Sequence, residues 1–589
     1  MKSTTLPQLF QALIDEVQAN IGPSAHPVSA SGPHDERLED SRRSLDEELQ
    51  ALQRASEAIA TYALKRMLEN RSQRNRLSLI HQLPAEILST IFSLAVRDKR
   101  GRQSFHDITL ISSVCRLWRG IINDNSPAFW TELCTLPTQL VNIFLTRSRA
   151  VPLEIEFDRT HNTGVVHFSD FLRLVLPQLH RWKICRFVLH DRKFDKEAIA
   201  SFLQHTSTSA SQLEILDLQL KTEEGLPNRL VVSHHPFAGA TLQLRNLTLD
   251  GILVPLEAPI FKGLTRLTLR HISYPDPESI YQLLRVLEAS PLLEAIDFTN
   301  LRFLPIPSFA PEAHGISVIR LPELRRIIWG EDDYRQQGRY QTLSHIVTPA
   351  SCFIGMCPIV TPDGDLYQIL PLQSVDSTNL PNLVTTNDLT VGLDDRDSCA
   401  LQAWGPAGVT FIANLIGVGE EESEEFCPRI ISNLGRVFPM PVLEALELEF
   451  CDGMEGPALV AEFAEFLRIH PTITRVKLVG AAHTLMDLFV IASTRRLCPL
   501  LQKLHLVSCP SFGKAVLLDL VASRTSLVAV SGTRDIAPLR DVVLDQCRFI
   551  CNPTITLLRT RVTLLVLDEP DGSDNLDGSE QSSEGGSTP

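Results

Sequence analysis

One apolar template recurs nine times along this chain and constrains its fold more than any other feature. Leu-x-x-Leu-x-Leu, with other apolar residues as substitutes, occurs at Leu213/Leu216/Leu218, Leu244/Leu247/Leu249, Leu264/Leu267/Leu269, Leu293/Ile296/Phe298 and Leu324/Ile327/Trp329. It returns at Leu443/Leu446/Leu448, Ile473/Val476/Leu478, Leu501/Leu504/Leu506 and Leu539/Val542/Leu544. Residues two apart share one face of an extended strand, so the last two positions of each copy face a core and the residues between face outward. Steps between the middle positions are 31, 20, 29, 31, 119, 30, 28 and 38 residues. Helical periodicity fills three of the gaps, at 276–290, 458–470 and 484–496. A strand–turn–helix unit cannot bury its apolar face alone and must stack on its neighbours. The expected fold class is therefore α/β, with residues 150–567 forming an irregular repeat solenoid. Residues 331–440, which span the long step, stand as an irregular insert with at most one degenerate copy around Leu383, Leu389 and Val391.

Three copies carry cysteine three residues after the last template position, at Cys451, Cys509 and Cys547. This resembles cysteine-containing leucine-rich repeats, in which that residue's polar atom satisfies turn backbone. The resemblance implies structural rather than catalytic thiols. Alternation assigns Asp217, Gln219, Asn246, Thr248, Asp250, Thr268 and Asp297 to the open, concave face. Charge there comes in blocks: basic at Arg266 and Arg270, acidic at Glu447 and Glu449, basic again at Arg475, Lys477, Lys503 and His505. These eight are the candidate substrate-binding residues, reading a partner of complementary charge.

A different pattern precedes the repeats. Leu83-Pro84 opens a stretch in which Glu86 suits the positive end of a helix, Pro84 its first position, and Ile87, Leu88, Ile91 and Phe92 its apolar stripe. After a charged connection at 97–107, Val114, Cys115, Trp118 and Arg119 lie on a second helical piece, and Trp130 follows. So small a unit cannot hide all this apolar surface, and part of it is expected to belong to a partner. The segment resembles the F-box, matching L-P-x-E-[IL]-[IL]-x-x-[IV]-F and then V-C-[RK]-x-W in the right order, with a connection longer than usual. The resemblance implies a three-helix unit at 81–132 that docks on a Skp-type adaptor and a cullin scaffold, while the C-terminal repeats hold a protein substrate. Leu83, Pro84, Glu86, Ile87, Leu88, Ile91, Phe92, Val114, Cys115, Trp118 and Arg119 would then bind the adaptor.

Leu38, Leu45, Leu52 and Ile59 recur every seven residues within 36–80, with Leu49, Ser56 and Ala63 four positions on. That is an amphipathic helix of coiled-coil character, which leaves open either a helix folded back on its own protein or a homodimer. Residues 1–35 read as a flexible segment. The tail 568–589 carries seven acids and no Lys or Arg, part of a net charge of −15, and is expected to be disordered. This charge disfavours nucleic acid as a partner. No phosphate loop, dinucleotide fingerprint, nucleophile elbow or zinc-protease motif occurs, so no enzyme, cofactor or metal is expected. His234-His235 reads as surface, and the Asn246 sequon as noise. Scattered cysteines without a C-x-x-C pair, no secretory signal and no apolar span fit the cytoplasm or nucleus and no membrane. A scaffold or tether without cullin association is the alternative function.

Overall fold

The computed structural model describes most of residues 34–567; the longest omitted stretches are 98–104, 159–166, 331–337, 372–378 and 418–425, and the tail from 568 onward. The chain forms two compact units, residues 1–132 with 146–149 and residues 133–145 with 150–589. The tail, Cys451, His234 and nearly all of residues 1–35 lie outside the described residues.

The second unit is built on one large, mostly parallel sheet. Its strands are β1 (Leu153–Asp158), β2 (Trp182–His190), β3 (Ile215–Lys221), β4 (Asn246–Asp250), β5 (Arg266–Tyr274), β6 (Ala295–Phe303), β7 (Arg326–Gly330) and β8 (Phe353–Cys357). They continue as β9 (Asp388–Asp395), β10 (Ser398–Gly405), β11 (Gly408–Gly417), β12 (Ala445–Phe450), β13 (Arg475–Val479), β14 (Lys503–Val507), β15 (Asp541–Asp545) and β16 (Thr563–Val566). In all nine templates the last two positions fall on a strand and the first lies two residues before it; no template residue is more than 2 % exposed. Parallel neighbours need crossovers, and helices such as Ser279–Glu288 and Pro457–Ile469 supply them, each burying one apolar stripe.

The irregular insert is part of this sheet. β8 continues it in parallel from β7, with Ile327 opposite Ile354. The next three strands form an antiparallel meander in reversed order: β11 lies parallel to β8, β10 runs antiparallel between β11 and β9, and β9 lies parallel to β12. The reversal preserves register. A single core row runs across it from Ile327 through Ile354, Phe411, Ala403, Leu389, Leu446 and Val476 to Leu504. Leu389 and Val391 do occupy template positions. The first position of that copy is held by Thr386, buried but polar, and not by Leu383.

Backbone conformation repeats as well. Gly251, His271, Asn300, Gly480, Ser508 and Gln546 each lie two residues after a last template position, with φ between 48° and 71°. A left-handed residue there turns the chain out of the strand. At Gly480 the turn is tight enough that a Cβ would sit 2.5 Å from the Phe450 carbonyl oxygen. The next residue reaches back to the ladder. The Cys509 thiol donates to the carbonyls of Val507 (3.4 Å) and Leu478 (3.6 Å), and Cys547 to those of Asp545 (3.3 Å) and Leu506 (3.5 Å). The neighbouring Cys547 thiol and burial raise the pKa of Cys509, while Cys509 beside it lowers that of Cys547 to about 7.

One expected helix is interrupted. Residues 484–496 give only a turn of helix at His483–Met486 and a short 3-10 turn before Val490 becomes extended. The cause is tertiary. Arg524, fully buried on helix Lys514–Val530, donates to the carbonyls of Leu497 (2.9 Å), Cys498 (2.9 Å) and Phe489 (2.7 Å), the last of which a continuous helix would keep for its own ladder.

Candidate protein-interaction surfaces

The N-terminal unit contains helix Ala85–Ala95, with Pro84 as its cap just outside the first position and Glu86 in its first turn. The apolar stripe of this helix divides in two. Leu88 and Phe92 are 0 % and 2 % exposed, so in this structure their side chains pack into the core of the unit. Ile87, Ile91 and Leu94, spaced i, i+4, i+7, share a second face and are 48 %, 40 % and 70 % exposed. Leu83 and Pro84, leading into the helix, are exposed too.

The second helical piece breaks after Val114. Cys115 is extended (φ −159°, ψ 171°) and caps helix Arg116–Gly120, its Sγ accepting from the Trp118 amide at 3.4 Å. That sulfur also lies 3.2 Å from His81 Nε2. Cys115 is thus occupied within its own unit. Arg119 Nε donates to the Ser112 carbonyl at 3.1 Å and ties the two helices across the break. Trp118 is half-buried against Phe92, ring centroids 4.7 Å apart, while its indole N–H has no hydrogen-bond partner among the described residues. Trp130 is buried, donates to the Ile122 carbonyl at 2.9 Å and carries the Arg147 guanidinium 4.4 Å above its ring. Leu110, Val114 and Leu117 are exposed on these helices. The motif included Val114; Leu94, Leu110 and Leu117 were missed, because only packing shows which side of an apolar helix is left over.

The long helix of the same unit, His34–Arg76, is continuous. Leu38, Leu45, Leu49 and Leu52 are each more than half exposed.

On the sheet unit the outward residues of the strands fall into two groups. Across β3 to β6 the charges neutralise one another. Lys221 and His271 hold Asp250 at 2.9 and 2.8 Å, and Arg270 meets Asp297 at 2.5 Å. Burial raises the Asp250 pKa, but hydrogen bonds from His271 and Lys221 outweigh it and hold the carboxyl below its usual value. Asp250, expected on the open face, is fully buried by this network. Arg266 lies 3.9 Å from Glu294. Asn246, half-buried on its strand, accepts from the Thr265 hydroxyl at 3.0 Å.

The second group gathers on β9 and β12 to β14. Glu447, Arg475, Lys477, Lys503 and His505 line one cavity with Asp388 and Ala445. Glu449 lies two residues beyond Glu447 and opposite Val479, outside that lining. Burial, with Lys477 and Lys503 beside it, lowers the His505 pKa and keeps the ring neutral at pH 7. Burial raises the pKa of Asp388, although Arg475 opposes it. Sequence alternation found the basic residues; Asp388 was missed because its strand belongs to the meander. Among the described residues no group of three or more His, Cys, Asp or Glu could hold a metal ion, and no helix is long and apolar enough to cross a membrane.

Residues 80–136 match a family model described as F-box-like. No curated protein matches the chain.

Proposed function

We infer, from the match of residues 80–136 to an F-box-like family model, that this region binds a Skp-type adaptor, as F-box domains generally do. From this premise we propose that the protein is the substrate-recognition subunit of a Skp-cullin-F-box ubiquitin ligase. The observation that carries the reading is the exposed row Leu83, Ile87, Ile91 and Leu94 within that domain, a patch of large apolar side chains of the kind that marks a protein interface. The sheet unit is read as a leucine-rich-repeat-like solenoid whose open face holds a protein substrate. Its templates in register and its recurring left-handed turns support that reading.

The mechanism is proximity. The protein contributes no catalytic residue; it raises the effective concentration of a substrate lysine near the charged ubiquitin-conjugating enzyme. Purification of the tagged chain from cells should bring down adaptor and cullin together, and Leu83→Ala/Ile87→Ser should lose both. Recovery of neither by the wild-type chain would sink the ligase reading.

A second reading is supported by the exposed leucines of helix His34–Arg76: a scaffold without cullin, dimerising through that helix as a coiled coil. Sedimentation of the full chain distinguishes it. A dimer that Leu45→Glu/Leu52→Glu converts to monomer supports the pairing, and a wild-type monomer removes it.

A further inference from the structure

The cavity on the open face has a specific architecture. It is an open depression of about 180 Å³, lined by Asp388, Glu447, Arg475, Lys477, Lys503 and His505 above Ala445 and its neighbours. The pairing register explains why it exists. Asp388, Ala445, Arg475 and Lys503 stand side by side in one row across four parallel strands. In that row Ala445 alone has no side chain beyond Cβ, so it leaves a hole between the Asp388 carboxylate and the Arg475 guanidinium. Ala445 itself is 8 % exposed, which makes it the floor.

The charges do not cancel. Lys477 is paired with Glu447. Arg475 and Lys503 are exposed and, among the described residues, have no ion pair within 4 Å, although Asp541 continues the row beyond Lys503. Three cations and two carboxylates line the cavity, with His505 neutral, leaving one positive charge in excess. A single carboxylate neutralises that excess. A phosphate dianion would overshoot it, with Asp388 and Glu447 on the opposite wall.

We propose that this cavity binds one carboxylate of a protein substrate, held by Arg475 and Lys503, with Ala445 providing the space. The proposal rests on the reading of the open face as the substrate-holding surface. The carboxylate comes either from a chain terminus or from an acidic side chain, and the two sources share this chemistry.

The test is ligand-observed NMR with the full-length chain and four probes: acetyl-Gly-Gly-Gly with a free C-terminus, its C-terminal amide, acetyl-glutamate amide and acetyl-phosphoserine amide. At least one carboxylate probe should bind while the uncharged tripeptide amide does not, and the better carboxylate probe identifies the source. Phosphoserine should bind no tighter than glutamate. Arg475→Gln/Lys503→Gln should weaken binding about tenfold or more, since charge-assisted hydrogen bonds are lost. Ala445→Leu should weaken it as much without changing any charge. Circular dichroism melting confirms that the variants stay folded. Binding that ignores Ala445→Leu, that is equal for acid and amide, or that is tightest for phosphoserine would overturn the proposal. So would absence of binding by every probe; if the same preparation still captures the adaptor, the cavity assignment alone has failed.

Discussion

The two units treat the same kind of sequence in opposite ways. Both carry apolar residues at strict spacing, yet the sheet unit hides every template residue to 2 % exposure or less, while the N-terminal unit leaves Leu83, Ile87, Ile91 and Leu94 in water. Stacked strands cover each other's apolar face on both sides. A few short helices have no second layer, so one face of helix Ala85–Ala95 forms the core through Leu88 and Phe92 and the other remains outside. Apolar spacing predicts burial only where enough neighbours exist to do the burying; elsewhere it marks an interface.

Substitutions can break this contrast, the sheet unit first. Phe298→Ala removes a fully buried ring packed against Trp329 and should cost about 3–5 kcal/mol in denaturant unfolding. Arg524→Met should cost about 3 kcal/mol, because three buried carbonyls lose their donor. A variant as stable as wild type would show that residues 487–498 do not depend on the guanidinium.

Acid should act on the sheet unit through His470. It is buried, donates from Nδ1 to the Phe466 carbonyl at 2.9 Å, and has a pKa lowered by burial from 6.5. The unfolded chain takes up this proton at higher pH than the folded chain does. Stability should therefore be full above about pH 6.5 and fall as the pH drops below it. His470→Gln should flatten that slope between pH 7 and 5, and an unchanged slope would exclude this histidine as the cause. The smallest effect belongs to the N-terminal unit. Ile87→Ser should change stability by less than about 0.5 kcal/mol, whereas a cost of 2 kcal/mol would mean that the face is covered by the chain itself.

Much of the sheet was legible because the template residues are large and aliphatic. β2 carries the same spacing as Trp182, Cys185 and Phe187 and was missed because none of the three is aliphatic. The meander was illegible for a related reason. Ala403, Ala413 and Thr386 occupy core positions with little apolar area, and antiparallel pairing gives no fixed period to count. The helix expected at 484–496 failed because Arg524, far along the chain, takes the Phe489 carbonyl from it. In the N-terminal unit the motif located the domain but could not divide its residues between core and surface. Leu88 and Ile87 are adjacent in sequence and equivalent in chemistry; only the direction of packing separates them.

The most direct test of the adaptor-binding claim is calorimetric titration of purified Skp-type adaptor into the full-length chain and into Ile87→Ser/Ile91→Ser. Loss of two anchors that the adaptor would cover should weaken binding by about 30-fold or more while thermal unfolding stays unchanged. Equal affinity for the two proteins, or no binding by the wild-type chain, would contradict the assignment of this exposed face to a partner.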